Sequence, residues 1–412
     1  MKRNLDASAA DIAADIEALA VITDPDRPWT RRAFSPLFDQ GRAWLKTRFA
    51  QAGLTVATDA GGNLIGTRPG RETGLGTIML GSHSDTVPDG GRFDGIAGVV
   101  VALEVARILD RRGAGLRHDL AVADFLAEEV SIFGVSCIGS RALAGMLPPD
   151  WLARESGGRD LRQALCDVGG QPGGLGGPLR DDLRAFLELH IEQGPVLERE
   201  GIGLGIVTAI VGITRVEMVV TGRPDHAGTT PMGARADALV AAARIVTRIE
   251  AKAAALAAGG RHFTATAGEF DISPNAANVV PSRVRLLIDI RAEDERDRDA
   301  FTDWLSALRA GEGIEISARR ISDNPPVRMD AGLVARLMRA ADGLGCEHRL
   351  MVSGAGHDAA FMTRLCPAAM VFVPCRGGRS HCPEEWAEAG DLALAAEGLA
   401  DTVMALDEEM EG

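Results

Sequence analysis

Apolar residues recur along the chain at two alternating spacings, one typical of helices and one of buried strands. Helical spacing marks residues 8–20 and 37–52, and a long helix is predicted from Gly95 to Asp110. Short apolar strands are predicted at Leu54–Ala57, Leu64–Thr67, Gly76–Leu80, Leu120–Leu126 and 183–190. Because strands and helices alternate, we expect an α/β domain with a mainly parallel sheet.

The pattern changes after this region and returns near the C-terminal end. The middle part reads β-α-β-β-α-β, which predicts a smaller α+β (ferredoxin-like) insert with an antiparallel sheet. We therefore expect a discontinuous larger domain of residues 1–210 and 328–412, interrupted by a smaller domain at 211–327. The sheet of the insert has exposed edges, which favour pairing with a second copy, so a homodimer through 211–327 is expected.

Length, charge and cysteine usage narrow the class of protein. A chain of 412 residues favours two domains, and a net charge of −14 argues against nucleic acid and anionic membrane surfaces as partners. No apolar stretch is long enough to span a membrane. Acidic residues soon follow the basic start Met1-Lys2-Arg3, so no secretory signal is expected. A cytoplasmic location is therefore predicted. In a cytoplasmic chain the six cysteines, which form no C-x-x-C pair, are expected to be reduced thiols.

Five residues of types that commonly bind metal ions follow predicted strands. They are His83, Asp94, Glu129, His190 and His381. The carboxyl ends of strands in an α/β sheet converge on one crevice, so residues distant in sequence can meet there. Histidines with carboxylates suit zinc or a similar divalent metal, and one carboxylate can bridge two ions.

Two acidic neighbours of these ligands, Asp85 and Glu128, carry further expectations. Asp85 lies two residues after His83 and points to the same side of an extended segment, so it is expected to orient the imidazole. Glu128 and Glu129 are adjacent carboxylates that repel each other unless cations absorb the charge. We expect Glu129 to bind metal, and Glu128 to carry a proton from the attacking water to the leaving nitrogen.

Six segments together resemble the M20-type metallopeptidase and amidase superfamily. They are GSHSDTVP (81–88), GGRFDG (90–95), ELHIEQGP (188–195), HAGTTPM (226–232), NVVP (278–281) and SGAGHDA (353–359). The chain is most similar to the hydantoinase/carbamoylase branch, which includes N-carbamoyl-L-amino acid hydrolases, beta-ureidopropionases and allantoate amidohydrolases.

This resemblance implies that residues 1–210 and 328–412 form the catalytic, metal-binding domain and that 211–327 form a lid and dimerisation domain. It also implies roles for further residues. It implies that Asp94 bridges the two metal ions and that Glu128 is the general base. Substrate contacts are implied for Gln193, His226, Asn278, Arg291, Gly356 and His357. Among these, His226 would reach the partner subunit's site and stabilise the oxyanion, while Asn278 and Arg291 would hold a substrate carboxylate. A structural role for His357 is an equal alternative.

The sequence departs from the family pattern just after the paired glutamates. Val130 and Ile132 stand where the family usually has Gly and Arg. The five ligands are intact, but the edge of the pocket is altered.

The expected activity is therefore hydrolysis of a linear C–N bond by a hydrolase of class EC 3.5. The expected substrate is a small carboxylate with a carbamoyl or ureido group, foremost an N-carbamoyl-L-amino acid. The alternatives are allantoate, an N-acyl amino acid or dipeptide, and a non-catalytic binding scaffold. Two divalent ions per subunit are expected, zinc first, with manganese, cobalt and nickel as alternatives.

Overall fold

The computed structural model describes residues 5–409, which form two compact units. The first unit runs to Thr208 and includes Met329–Met351 and the segment from His357 onward. The second unit comprises Ala209–Arg328 and Val352–Gly356. The expectation that there is no secretory signal concerns the basic start Met1-Lys2-Arg3. These residues lie outside the described part of the chain.

A mixed sheet of nine strands organises the larger part of the chain. Its strands are β1 (Thr55–Thr58), β2 (Leu64–Arg68), β3 (Thr77–His83), β4 (Asp119–Phe125), β7 (Leu183–Ile191), β8 (Leu204–Ile210), β13 (Val327–Arg328), β14 (His348–Ser353) and β15 (Ala368–Val373). A separate two-stranded ribbon is formed by β5 (Glu155–Ser156) and β6 (Arg159–Asp160).

The strands in the middle of the nine-stranded sheet pair in parallel. The strand order is β1-β2-β4-β3-β7-β15-β8-β13, and β14 pairs with β8. Strands β4, β3, β7 and β15 run parallel, whereas β2 and β8 join this group in antiparallel fashion. The prediction of an α/β fold with a mainly parallel sheet is confirmed. The parallel strands are apolar along almost their whole length because both faces of the sheet are buried.

The first unit also contains α-helices, several of which contact this sheet directly. They are α1 (Ala9–Ala20), α2 (Pro36–Gln51), α3 (Ile96–Arg111), α4 (Ile138–Leu143), α5 (Leu161–Asp167), α6 (Val196–Glu200), α9 (Ala331–Gly343), α10 (Ala359–Met362) and α11 (Ala389–Glu409). Helix α3 is buried on nearly every side and lies against β3, β7 and α11. It forms the centre of the main hydrophobic core together with the inner strands.

The second unit is an antiparallel sheet covered by two helices. Its strands are β9 (Gly212–Thr221), β10 (Phe263–Ser273), β11 (Arg283–Ala292) and β12 (Glu315–Asn324), and its helices are α7 (Ala238–Ala257) and α8 (Glu295–Ser306). The strand order β10-β11-β9-β12 and the element order β-α-β-β-α-β are those of a ferredoxin-like fold. Alternate residues of β9 and β11 face α7 and α8 and form a separate core.

Among the helices of residues 5–409, none combines the length and the apolar character needed to cross a membrane.

Candidate metal centre

The predicted ligands lie at the carboxyl ends of the parallel strands. His83 is the last residue of β3, His190 is the penultimate residue of β7, and Glu129 follows the end of β4 by four residues. Asp94 lies immediately before Gly95, which caps the start of α3. His381 lies farther from its strand, in the loop between β15 and α11. Two ligands thus lie on parallel strands, and the other three lie in loops that follow parallel strands.

These five side chains form two groups that share Asp94. His83, Asp94 and His190 make one group, and Asp94, Glu129 and His381 make the other, with ligand atoms of each group within 4.8 Å of one another. Asp94 Oδ1 lies 3.0 Å from His190 Nε2, while Asp94 Oδ2 lies 2.9 Å from His381 Nε2. Each oxygen of Asp94 therefore faces a different group, which is the arrangement of a carboxylate that bridges two metal ions.

The imidazoles of His83 and His190 are oriented as metal ligands usually are. Their Nδ1 atoms lie 3.1 Å and 3.0 Å from the main-chain oxygens of Asp85 and Ile191. A hydrogen bond from Nδ1 to a carbonyl leaves the Nε2 lone pair free to bind an ion. The residues therefore fit a pair of divalent cations.

Asp85 contacts His83 mainly through its main chain. Its carboxylate Oδ1 lies 3.5 Å from His83 Nδ1, farther than its own carbonyl oxygen, and accepts a hydrogen bond from the main-chain N–H of Glu128 at 3.2 Å. Asp85 thereby connects the loop after β3 to the loop that carries the paired glutamates.

Glu128 lies beside the two metal-ligand groups and belongs to neither. Its Oε2 is 3.6 Å from His83 Nε2, and the thiol of Cys137 lies 3.5 Å from its Oε1. Burial, together with the negative charges of Asp358 and Glu129, holds the pKa of Glu128 well above its usual range and outweighs the opposing effect of His83. A carboxylate in this position can take up a proton readily.

Two of the ligands, His381 and Asp94, are held in their charged forms by neighbouring ligands when no ion is bound. Hydrogen bonds to Asp94 and Glu129 raise the pKa of His381 to about 11. Although burial opposes it, hydrogen bonds from His190 and His381 hold the pKa of Asp94 well below its usual value. Protons thus occupy positions that cations would take, and metal binding at neutral pH has to release them.

Gln193 and His357 also lie in the first unit, next to metal ligands. Gln193 Nε2 is 3.2 Å from Asp94 Oδ1 and 3.2 Å from the hydroxyl of Ser380. The His357 ring is only 2% exposed and packs edge-on against His190, with 4.5 Å between the ring centroids.

The remaining predicted substrate contacts lie in the second unit. The exposed residues His226 and Asn278 are brought together by an isolated bridge between His226 and Val279 and by a hydrogen bond from the Ala227 N–H to the Asn278 carbonyl. Arg291 on β11 donates to the carbonyl of Gly354 at 2.8 Å, two residues before Gly356.

The altered stretch after Glu129 divides into an exposed and a packed residue. Val130 is 50% exposed, and its carbonyl accepts a hydrogen bond from Arg32 at 3.4 Å. Ile132 packs against a small apolar cluster that includes Phe34 and Phe133.

Two buried acidic residues near the centre were not predicted from sequence. Glu188 accepts hydrogen bonds from the Ser82 hydroxyl and the Ala359 N–H, both at 2.9 Å. Its position two residues before His190 on β7 was a usable signal, because such residues share a face of a strand. Glu385 lies near Asp94 but 291 positions away in sequence, and burial and the charge of Asp94 raise its pKa to about 7.

Comparisons with known proteins agree on one family. The family model described as peptidase family M20/M25/M40 matches residues 79–405. The N-carbamoyl-L-amino-acid amidohydrolase of Paenarthrobacter aurescens is 39% identical over 97% of this chain and 98% of its own length. The allantoate amidohydrolase of Bacillus subtilis (strain 168) is 35% identical over 92% of each chain.

Solved structures give the same assignment. A hydantoinase/carbamoylase family amidase from Burkholderia multivorans has a TM-score of 0.87 and 33% identity, covering 97% of this chain and 98% of its own. The crystal structure of AtUAH in complex with glyoxylate has a TM-score of 0.80 and 31% identity, covering 98% of this chain and 99% of its own. The chain therefore belongs to the peptidase family M20/M25/M40 and, within it, is an amidohydrolase of the hydantoinase/carbamoylase branch.

Proposed function

We propose that this amidohydrolase cleaves the carbamoyl C–N bond of an N-carbamoyl-L-amino acid with the help of two divalent metal ions. The observation that carries the proposal is the sharing of Asp94 between two ligand groups, with the carboxylate of Glu128 left over beside them. A relative with 39% identity, an N-carbamoyl-L-amino-acid amidohydrolase, supports the choice of substrate.

His83 and His190 would hold one ion, Glu129 and His381 the other, and Asp94 both. Two divalent ions bound there would polarise the scissile carbonyl and lower the pKa of water. Nitrogen and carboxylate ligands favour zinc, with manganese, cobalt or nickel as alternatives.

Glu128 would act as the general base and then as the general acid. It takes a proton from the attacking water as the new C–O bond forms, and returns it to the nitrogen as the C–N bond breaks. Loss of ammonia leaves a carbamate, which releases carbon dioxide and the free amino acid. The raised pKa of Glu128 supports both its role as base and its role as acid. Asp85 would support the base by fixing its main chain and the His83 ring.

His226 would stabilise the oxyanion that develops on the carbonyl oxygen. Its Nδ1 accepts hydrogen bonds from the N–H groups of Gly228 and Thr229 at 3.0 Å and 3.2 Å. These contacts favour the tautomer with a proton on Nε2, which is the donor that an oxyanion needs.

The substrate carboxylate would be bound by Arg291 and Asn278. Within residues 5–409 the Nη2 group of Arg291 has no hydrogen-bond partner, although Nε and Nη1 are held by Asp289 and Gly354. A guanidinium fixed in this way can still offer a donor to a carboxylate. Gln193, Gly356 and His357 would complete the substrate contacts. The complex of a relative with glyoxylate, itself a small carboxylate, supports this substrate class.

Allantoate is the second candidate substrate. It also carries ureido groups and a carboxylate, and the allantoate amidohydrolase with 35% identity supports it. N-acyl amino acids and dipeptides are weaker alternatives as substrates. We further propose a homodimer formed through residues 211–327, and a cytoplasmic location in keeping with six free cysteines.

A substrate panel tests this proposal. Purified protein loaded with zinc, manganese, cobalt or nickel is given N-carbamoyl-L-amino acids, their D-enantiomers, allantoate and N-acetyl amino acids. We expect metal-dependent ammonia release, fastest with an N-carbamoyl-L-amino acid. Faster release from allantoate would exchange the first candidate for the second. No ammonia release from any ureido acid would contradict the proposed chemistry.

A further inference from the structure

Glu385 is a buried carboxylate that joins two loops of the metal centre. It is 1% exposed, and its Oε1 accepts hydrogen bonds from the main-chain N–H groups of Phe93 and Asp94 at 2.8 Å and 3.0 Å. Its Oε2 accepts a hydrogen bond from the hydroxyl of Ser380 at 2.8 Å. One side chain therefore fixes the loop that carries Asp94 and the residue that precedes His381.

Ser380 extends this connection to the carboxylate of Asp94. Its hydroxyl oxygen lies 3.4 Å from Asp94 Oδ2, the same oxygen that faces His381. Gln193 also donates to both Ser380 and Asp94. Glu385 thus contacts the main chain of Asp94 directly, and the hydroxyl from which it accepts a hydrogen bond lies beside the Asp94 carboxylate.

The glycine at position 91 shows how closely Glu385 is seated against this loop. A Cβ atom placed on Gly91 would lie 1.8 Å from Glu385 Oε1 and 1.9 Å from its carboxyl carbon. Only glycine leaves room for the carboxylate to reach the N–H groups beyond it. The GGRFDG segment (90–95) therefore accommodates the Glu385 carboxylate because position 91 is glycine.

Folding alone gives a poor reason to bury this carboxylate. Throughout residues 5–409, no arginine or lysine forms an ion pair with Glu385. Burying a carboxylate without a cation is unfavourable, even when neutral donors solvate it. A divalent ion on Asp94 would supply the missing positive charge nearby.

We propose that Glu385 is a positioning residue of the metal centre. It holds Asp94 and, through Ser380, the His381 loop in the geometry that the shared site requires. This inference rests on the proposed metal centre. Residues that orient metal ligands typically change metal affinity about 10- to 100-fold when they are replaced.

Cobalt binding to the metal-depleted protein tests the role of Glu385 without any substrate. Visible absorption follows the number of ions bound and their coordination, and a competing chelator gives the affinity. For Glu385→Gln we expect cobalt affinity at the Asp94–Glu129–His381 site to fall about tenfold or more, with altered absorption bands. The melting temperature of the metal-free variant should be unchanged or higher, because a buried charge has been removed.

Two further variants complete the experiment. Ser380→Ala removes one contact of Glu385 and should weaken cobalt binding to a smaller extent. Glu384→Ala is the matched control, because Glu384 is an exposed neighbour paired with Arg379, and it should bind cobalt as the unaltered protein does.

The possible failures are distinguishable. Unchanged cobalt affinity and spectrum in both Glu385→Gln and Ser380→Ala would overturn the inference alone. A lower melting temperature of metal-free Glu385→Gln with unchanged cobalt affinity would assign Glu385 a merely structural role. Failure of the unaltered protein to bind cobalt would overturn the metal centre and the inference together.

Discussion

Glu128 and Glu129 are adjacent in the chain, yet their carboxylates have different partners. Glu129 Oε1 lies 3.1 Å from His381 Nε2, within a ligand group. Glu128 instead lies beside His83 and Cys137, outside both groups. This difference is the basis for assigning Glu129 to a metal ion and Glu128 to proton transfer.

Replacing Glu128 by Ala should separate catalysis from metal binding. We expect Glu128→Ala to lower kcat about 100- to 10,000-fold, because the proton carrier is lost, while metal content stays the same. Metal analysis and an ammonia assay on the same sample measure both. Glu129→Ala is the comparison variant and should lose metal. A Glu128→Ala protein that loses its metal, or that keeps its activity, would refute the division of roles.

Residues of the centre differ in how well sequence reveals them. His83 and His190 were predicted because each ends an apolar strand, and the structure places them at the ends of parallel neighbours. Glu385 gave no such signal. Its contacts with Phe93 and Asp94 depend on how the loop before α11 folds back, which no local pattern encodes.

At the junction between the Asp94 loop and helix α3, the backbone approaches the proposed metal ligand His83 very closely. Gly95 caps the helix with φ 66° and ψ −47°, a conformation that L-residues rarely adopt. A Cβ atom there would lie 2.3–2.5 Å from three ring atoms of His83. The close approach of helix and imidazole therefore requires glycine.

Gly95→Ala should lower both metal content and stability. Backbone strain of about 1–3 kcal/mol is added to a clash that displaces the His83 ring. Gly113→Ala is the matched control, because Gly113 has φ 61° and open space around its Cα, and it should keep normal metal content. Denaturant unfolding and metal analysis give the two readouts. Equal metal content in both variants would show that contact with His83 is unimportant.

Strand β10 shows where the prediction of elements from sequence stops. The order β-α-β-β-α-β implied such a strand, but its position between α7 and β11 was not located. Its burial pattern is largely exposed, and the register shifts between Ala267 and Glu269, around Gly268. A bulge on an edge strand breaks the alternation that reveals strands, whereas the central strand β11 alternates regularly.

At the scale of the whole molecule, the proposed residues are divided between two compact units. The metal ligands and Glu128 belong to the first, and His226, Asn278 and Arg291 belong to the second. The sequence predicted such a division because the pattern of elements changed within the chain. In the proposed homodimer, the pattern of elements does not indicate which copy of the second unit serves which metal centre.

Subunit mixing tests whether His226 acts across the proposed dimer. A heterodimer of His226→Ala and Glu128→Ala chains would contain one site with both Glu128 and His226. We therefore expect up to about half of the unaltered activity per dimer, while each parent remains nearly inactive. Separately tagged chains allow heterodimers to be purified and assayed. Purified heterodimers as inactive as their parents would rule out the exchange.

The central claim is that two metal ions share Asp94, and metal titration tests this claim most directly. Metal-depleted protein is titrated with zinc or manganese while ammonia release from an N-carbamoyl-L-amino acid is measured. Activity should be absent without metal and should reach its plateau at two equivalents per chain. Activity without metal, or a plateau at one equivalent with no second ion bound, would contradict the two-ion centre.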